Sequence, residues 1–465
     1  MEKYDLIVIG SGAGMDVASK ALQAGMKVAL VEHGLLGGTC LNTGCIPSKV
    51  LLHPADVIRE LDEAKGIGVE ASVSRVDFPL IMRRMRSFVD EDRREMEVGV
   101  EAVEGLKWYR DAGEFIGDYK MKVGEVTITA PQIVIASGAR PLVPPIEGLE
   151  EMGYINNVSV LQLEKLPESL IIIGGGYIAC EYGHFFSALG TKVTILEMLP
   201  RLLMAEDPEI SEIVEMRFSK YVEIHTNHQV VKVEKKGEQK VVSALGRETN
   251  ETYEFAAQEI MLAVGRRSNS DLLKPERTGV ETDEQGWIKV DEYLETTKPG
   301  IWALGDATGK YMFRHTANYE AEVVWTNAFS AHKHPADYHA VPHAVFGYPQ
   351  VAGVGMTEEE AQAAGYEILV GRARYMDVTM GYAMGEENSL VKVVVDGESR
   401  RILGCHIVGS EAAILVQQVV YVMNAGDGDY FPLADSQVIH PALSEVVINA
   451  FTNMAPPGHV HRHHG

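Results

Sequence analysis

Two cysteines offer the sequence's most reactive chemistry. Cys40 and Cys45 are separated by four residues in Gly37-Gly38-Thr39-Cys40-Leu41-Asn42-Thr43-Gly44-Cys45-Ile46-Pro47-Ser48-Lys49, with glycines on both sides. If a helix begins near Cys40, the two sulfurs lie about one turn apart on one face, close enough to bridge. A thiol near a helix N-terminus is biased towards the nucleophilic thiolate. The pair therefore suits a redox-active disulfide. A zinc site needs about four ligands, and no second cysteine pair lies at suitable spacing. A structural disulfide usually closes a longer loop in a secreted chain. An inert buried pair is the remaining alternative. The other two cysteines, Cys180 and Cys405, stand alone and read as small core residues.

Two glycine turns accompany the cysteines. Residues 4–9 read as a buried parallel strand, followed by Gly10-Ser11-Gly12-Ala13-Gly14-Met15, a helix through Ala24, Gly25 as its stop, and a second strand ending at Glu32. This strand, glycine turn, helix, strand and acid form the dinucleotide-binding pattern. Its glycines let backbone approach a pyrophosphate, which the helix N-terminus favours, and Glu32 can accept from a ribose. Met15 occupies the third glycine position, so looser packing of helix on strand is expected there. The pattern repeats with a strand at 169–173, Gly174-Gly175-Gly176-Tyr177-Ile178-Ala179, a helix to about Leu189, and a strand ending at Glu197. Two such folds imply two dinucleotides. A carboxylate at Glu197 can bond a free 2′-hydroxyl and would repel a 2′-phosphate, so NAD(H) is expected over NADP(H). The bland alternative is a solvated strand end.

The rest of the chain must position these groups. Its 465 residues suit two to four domains. Hydrophobic content of 46% and charged content of 23% are ordinary for a soluble globular protein. The net charge of −24 argues against nucleic acid and anionic membrane surfaces. The N-terminus enters an apolar strand almost at once and no apolar run approaches membrane-spanning length, so a cytoplasmic enzyme is expected. The expected fold class is α/β: two Rossmann-like dinucleotide-binding domains followed by a C-terminal α+β domain. The expected ranges are 1–148 and 271–338 for the first domain, 149–270 for the second and 339–455 for the third. In the third, Thr357-Glu358-Glu359-Glu360 reads as a capping box, and Asp396-Gly397 as the turn of a hairpin. A histidine-rich tail, 456–465, carries His459, His461, His463 and His464. A disordered tail is expected there, and no metal site.

The 37–49 segment resembles the active-site segment of the FAD-dependent pyridine nucleotide–disulfide oxidoreductases, and the resemblance runs from Tyr4 to about Thr452. It implies that the first fold binds FAD through Gly10, Gly12, Gly14, Glu32, Gly38, Thr39, Gly113 and Gly138. Asp306 matches the ligand of the ribityl chain, and Met312, Arg314 and His315 belong to the segment lining the flavin. Arg314 falls where many relatives have a small residue, so a backbone contact is expected there. The second fold is implied to hold the nicotinamide nucleotide through Gly174, Gly176, Ala179, Glu197, Val230 and Gly265. Lys49 and Glu181 correspond to a buried ion pair beside the flavin. Tyr177 matches a residue covering the nicotinamide pocket in several relatives; a core tyrosine is the competing reading. His440-Pro441-Ala442-Leu443-Ser444-Glu445 resembles the family's His-Pro…Glu motif. There His440 would shuttle the thiol proton and Glu445 would orient it. The third domain matches the family's dimerisation domain, so a homodimer with active sites shared between subunits is implied. Cys40 would exchange with a small dithiol or disulfide, and Cys45, the less exposed, would face the flavin.

Dihydrolipoyl dehydrogenase is the expected member, chiefly on Glu197, with a lipoyl-bearing protein as a possible partner. The alternative is a reductase of a low-molecular-weight disulfide, because residues 315–321, 380–384 and 439–447 resemble mycothione reductase. Mercuric reductase is a weaker fit, since those enzymes carry an extra C-terminal cysteine pair. A transhydrogenase or diaphorase would not need the cysteine pair or the His440–Glu445 motif.

Overall fold

A computed structural model describes residues 1–458. The expected histidines of the tail lie outside these residues.

The first glycine turn sits on a five-stranded, all-parallel sheet in the order Ile301–Ala303, Gln132–Ile135, Leu6–Ile9, Val28–Val31, Leu106–Tyr109. Leu6–Ile9 and Val28–Val31 are apolar throughout and buried throughout, as central parallel strands covered on both faces must be. The helices Gly14–Gln23 and Arg314–Phe329 pack together over one face. The second turn sits on a four-stranded parallel sheet in the order Glu223–His225, Lys192–Leu196, Ser169–Ile173, Glu259–Leu262. Both sheets place a glycine turn at the carboxyl end of a central strand, where ligands of such sheets bind.

The chain then builds a six-stranded antiparallel sheet, from Pro342–Val345 at one edge to Met454–Ala455 at the other. Leu390–Asp396 and Ile402–Val408 form the expected hairpin. Thr357 and Glu360 form the expected capping box of the helix Glu358–Ala363. The apolar helix Ala412–Met423 covers this sheet. One hydrophobic cluster joins all three regions. It runs from Leu51, Leu52 and Phe78 through Phe185, Phe186 and Phe218 to Val345 and Val408. The helix that carries Cys45 thereby packs against Tyr177–Ala188 of the second fold on one side and the long helix Phe78–Ala102 on the other.

Two local expectations are corrected. The cysteine segment is not one helix beginning near Cys40. Gly38–Thr43 and Cys45–Glu63 are separate helices that meet at Gly44. A Cβ on Gly44 would fall 2.9 Å from the Thr39 carbonyl oxygen, so only glycine permits this junction. The close packing expected to be lost at Met15 is supplied one residue earlier. A Cβ on Gly14 would lie 2.8 Å from Val8 Cγ1, and Met15 packs against the core beside it. Among the described residues no helix is long and apolar enough to cross a membrane.

Candidate active site

The two cysteines line a cavity of about 1320 Å³ that also touches Gly10, Gly12, Glu32, Gly138, Asp306 and Arg314. Such a volume exceeds the range typical of drug-sized ligands and suits a dinucleotide. The cradle is made by missing side chains. A Cβ on Gly10, whose φ is +99°, would lie 2.2 Å from the Ala136 carbonyl oxygen. One on Gly38 would lie 3.0 Å from Gly12 Cα. Glu32 accepts from Ser11 N–H at 3.0 Å and Ser11 Oγ at 2.9 Å, and from Gly34 N–H at 2.8 Å. Its carboxylate is thus held at the mouth of the turn. These residues fit the adenosine diphosphate half of FAD.

Both cysteines stand as free thiols. Cys45 is the first residue of its helix and opens into the cavity that carries Gly10, Gly12 and Asp306. The Gly44 junction turns the start of the helix towards the cavity. A hydrogen bond from the Cys40 thiol lowers the Cys45 pKa to about 6 against the cost of burial, and the Lys49 ammonium adds to that. Cys40 is pushed up for the reciprocal reason, with burial second. The thiolate of the pair is therefore Cys45.

Lys49 projects from the same helix and donates to both oxygens of Glu181, at 2.7 and 2.8 Å. Glu181 comes from the helix Tyr177–Ala188 of the second fold and also accepts from Phe346 N–H at 3.1 Å. One ion pair thus ties the cysteine helix, the second fold and the C-terminal domain together. Asn157 adds a second tie by donating to the Thr43 carbonyl at 2.9 Å. Deeper in the cavity, Asp306 faces Arg266 at 3.4 Å, while burial raises its carboxyl above the ordinary range. Met312 and His315 line the wall, and His315 lies 2.7 Å from the Pro342 carbonyl. Arg314 opens the helix Arg314–Phe329 and directs a guanidinium nitrogen towards Gly12, beyond the backbone contact expected of it.

The residues expected around the second nucleotide divide. Gly174 has a φ of +110°, and a Cβ there would lie 2.4 Å from the Ala263 carbonyl oxygen. Gly176 and Gly265 are exposed, with open space where a Cβ would stand. Glu197 is buried, which removes the solvated strand-end alternative. It accepts from Gly175 N–H and, at 2.7 Å, from Leu199 N–H. Ala179 and Val230 are buried, and Ala179 has no exposed surface. Ala179 lets its helix approach the strand and presents nothing to a ligand. Gly113 likewise lies outside the cavity lining, in a strand where a Cβ would meet Met121 Sδ at 2.7 Å.

His440 and Glu445 meet as the motif required. His440 Nδ1 lies 2.8 Å from Glu445 Oε1, and Ala442 N–H donates to the other oxygen at 3.0 Å. The bond to His440 holds the Glu445 carboxyl below its ordinary range. The His440 side chain is 72% exposed and does not line the cysteine cavity of its own chain. Sequence reasoning passed over Arg266, Asn157, Glu206, His343 and Phe346. None lies in a recognisable motif, and only the packing of separate segments brings them to the site. Among the described residues no group of three or more histidine, cysteine or acidic side chains could hold a metal.

Comparison with known proteins agrees with this geometry. The chain is 35% identical to mycothione reductase of Mycobacterium tuberculosis, across 98% of this chain and 100% of the relative. It is 31% identical to dihydrolipoyl dehydrogenase of Bacillus subtilis, covering 96% of each. It is also 33% identical to mercuric reductase of Staphylococcus aureus, covering 91% of this chain and 77% of the relative. The HOCl-induced flavoprotein disulfide reductase RclA from Escherichia coli has a similar structure. Its TM-score is 0.86 at 30% identity, with 97% of this chain and 99% of that chain covered. The sequence pattern of the pyridine nucleotide-disulphide oxidoreductases matches residues 4–321, and that of their dimerisation domain matches residues 341–451. The chain therefore belongs to the pyridine nucleotide-disulphide oxidoreductase family, whose flavin is FAD.

Proposed function

We propose that the chain is an NAD-linked dihydrolipoyl dehydrogenase that works as a homodimer. The net reaction converts a substrate dithiol and NAD into the cyclic disulfide, NADH and one proton. FAD, when bound, supplies the two-electron carrier between the cysteine pair and the nicotinamide. The chain's own residues handle sulfur and protons.

In the oxidised enzyme Cys40 and Cys45 form a disulfide. His440 of one subunit takes a proton from the first substrate thiol. The resulting thiolate attacks Cys40, the Cys40–Cys45 bond breaks, and Cys45 leaves as a thiolate. A low pKa makes Cys45 a good leaving group, and Lys49 stabilises its charge. The second substrate thiol then displaces Cys40, closing the substrate disulfide. One substrate proton ends on Cys40 and the other on the histidine. Glu445 fixes the tautomer of His440 and stabilises the imidazolium. Gly10, Gly12 and Glu32 would hold the FAD adenosine diphosphate, Asp306 its ribityl chain, and Gly174, Gly176 and Glu197 the NAD. Tyr177 covers the nicotinamide position.

The observation that carries NAD linkage is the Glu197 carboxylate, anchored by two backbone N–H groups at the second glycine turn. It supports a ribose with a free 2′-hydroxyl and disfavours a 2′-phosphate. The 35% identity to mycothione reductase supports a second reading, reduction of a low-molecular-weight disulfide. One assay separates them. The holoenzyme is offered NAD with dihydrolipoamide, then NADH or NADPH with a panel of small disulfides. Rapid NAD-dependent oxidation of dihydrolipoamide is expected. Weak lipoyl turnover with one strongly preferred disulfide would select the second reading, and equal kcat/KM for NADH and NADPH would overturn the role of Glu197.

A further inference from the structure

A hydroxyl, a carboxylate and an imidazole meet where the second dinucleotide fold touches the C-terminal sheet. Tyr177 follows the glycine turn as the first residue of its helix. Its hydroxyl donates to Glu206 Oε1 at 3.0 Å, and His343 Nε2–H donates to Glu206 Oε2 at 2.9 Å. Glu206 is only 1% exposed, so these groups replace water around its carboxylate. Burial opposes its charge, yet the His343 hydrogen bond leaves the carboxyl below its ordinary range. The Tyr177, Phe313 and His343 rings form a cluster of near-parallel rings, with Tyr177 6.1 Å from each of the other two at interplanar angles of 20° and 12°, and those two 6.2 Å apart. The three rings line the same cavity as the cysteines. They come from three parts of the chain: Phe313 from the first fold, Tyr177 from the second, and His343 from the Pro342–Val345 strand.

The loop that carries Glu206 is itself anchored. It begins at Glu197, whose carboxylate bonds the glycine turn. Leu203, in mid-loop, is buried and left-handed at φ 48°. A branched residue holds that conformation only where its surroundings impose it. Here Leu203 N–H donates to the Gly175 carbonyl at 2.8 Å, and Glu206 N–H to the Leu203 carbonyl at 2.8 Å. The same short loop thus reaches the ribose-side acid at one end and the tyrosine hydroxyl at the other.

We propose that Glu206 and His343 are positioning residues that latch Tyr177 across the nicotinamide position, so that the nicotinamide enters only after the Tyr177–Glu206 hydrogen bond opens. The inference rests on the reading that Tyr177 covers that position. A bond to a buried carboxylate is stronger than one between neutral groups. A closed state held by it lowers the apparent affinity of whatever must displace the ring. Anchoring the latch on His343 makes opening depend on the C-terminal sheet.

The test is calorimetric titration of the oxidised holoenzyme, where no turnover occurs. Two probes are compared: the nicotinamide dinucleotide that supports activity, NAD or NADP, and the matching ADP-ribose, which lacks the nicotinamide. Tyr177→Phe keeps the ring and removes the hydroxyl. It should bind the dinucleotide about tenfold more tightly than wild type, with ADP-ribose affinity unchanged. His343→Ala should shift the same ratio in the same direction by a smaller factor. Tyr177→Ala, which removes the ring, separates the two ideas. If it leaves the ratio of the two affinities unchanged, the covering role itself fails and the latch with it. If it changes the ratio while Tyr177→Phe and His343→Ala do not, the covering role stands and the latch is refuted.

Discussion

Replacing Cys40 with alanine tests which sulfur carries the charge, and why. The Cys45 thiol is held at about 6, and the largest cause is the hydrogen bond it accepts from Cys40. A hydrogen bond to a charged acceptor is worth roughly 1.5–3 kcal/mol, or about one to two pKa units. Removing it should raise the Cys45 midpoint from about 6 to roughly 7–8. Lys49 and the helix N-terminus remain, so the return to an ordinary thiol should be incomplete. The thiolate is the form present above the midpoint and lost as pH falls through it. At pH 7 the thiolate fraction should therefore drop from about nine-tenths to between about one-half and one-tenth. The assay is a pH titration of the long-wavelength thiolate-to-flavin absorbance. It compares the two-electron-reduced wild type with the Cys40→Ala holoenzyme, in which Cys45 is the sole thiol of the pair. Cys180 and Cys405 are buried and should not contribute. An unchanged midpoint would show that Cys40 does not set the charge on Cys45. A midpoint raised equally by Lys49→Gln alone would transfer the effect to the ammonium.

Three further substitutions probe the proton and the domain contacts. His440→Gln should slow dithiol oxidation by roughly 10²- to 10⁴-fold, and Glu445→Gln should slow it less, because Ala442 N–H still orients the side chain that replaces it; stopped-flow mixing with dihydrolipoamide reads both, and wild-type rates in His440→Gln would remove it from the mechanism. Lys392 is 4% exposed in its side chain and lies 2.9 Å from the fully buried Asp207 and 2.8 Å from Glu358. Lys392→Met should cost ~3–5 kcal/mol by leaving buried carboxylates unpaired, and a thermal midpoint equal to wild type would contradict that. The same pair sets a pH dependence. Burial opposes the Asp207 charge, but Lys392 keeps its carboxyl below the ordinary range. The stability it contributes is thus present above the unfolded carboxyl value near ~4 and lost as pH falls through the folded value. Lys392→Met should flatten that acid limb in a series of melting curves.

The two glycine turns were legible because the whole signal is local. Strand, turn, helix and acid follow one another within about thirty residues, and each glycine answers a backbone requirement that the structure displays at Gly10 and Gly174. The His440–Glu445 pair was legible for the same reason, five residues apart on one loop-to-helix transition. Met15 misled because a fingerprint assigns close packing to one position, whereas Gly14 does that work here. The cysteine segment misled because nothing in its spacing marks Gly44 as the junction of two helices; the close approach to the Thr39 carbonyl, which leaves no room for a side chain there, exists only in the folded chain.

By itself, then, the sequence determined that two dinucleotide folds, a cysteine pair and an acid-paired histidine exist in one chain, since each is written in neighbouring residues. Only the tertiary structure decided which cysteine is the thiolate. That choice depends first on the hydrogen bond from the Cys40 thiol, which needs the two short-spaced helices to meet at Gly44, and then on Lys49 one turn along the second helix. The Lys49–Glu181 pair, 132 residues apart, was implied by the resemblance alone and is present in the structure, whereas only the tertiary structure joined Tyr177 to Glu206 and His343. A buried carboxylate must find its partners wherever packing brings them, and no spacing rule along the chain records that encounter.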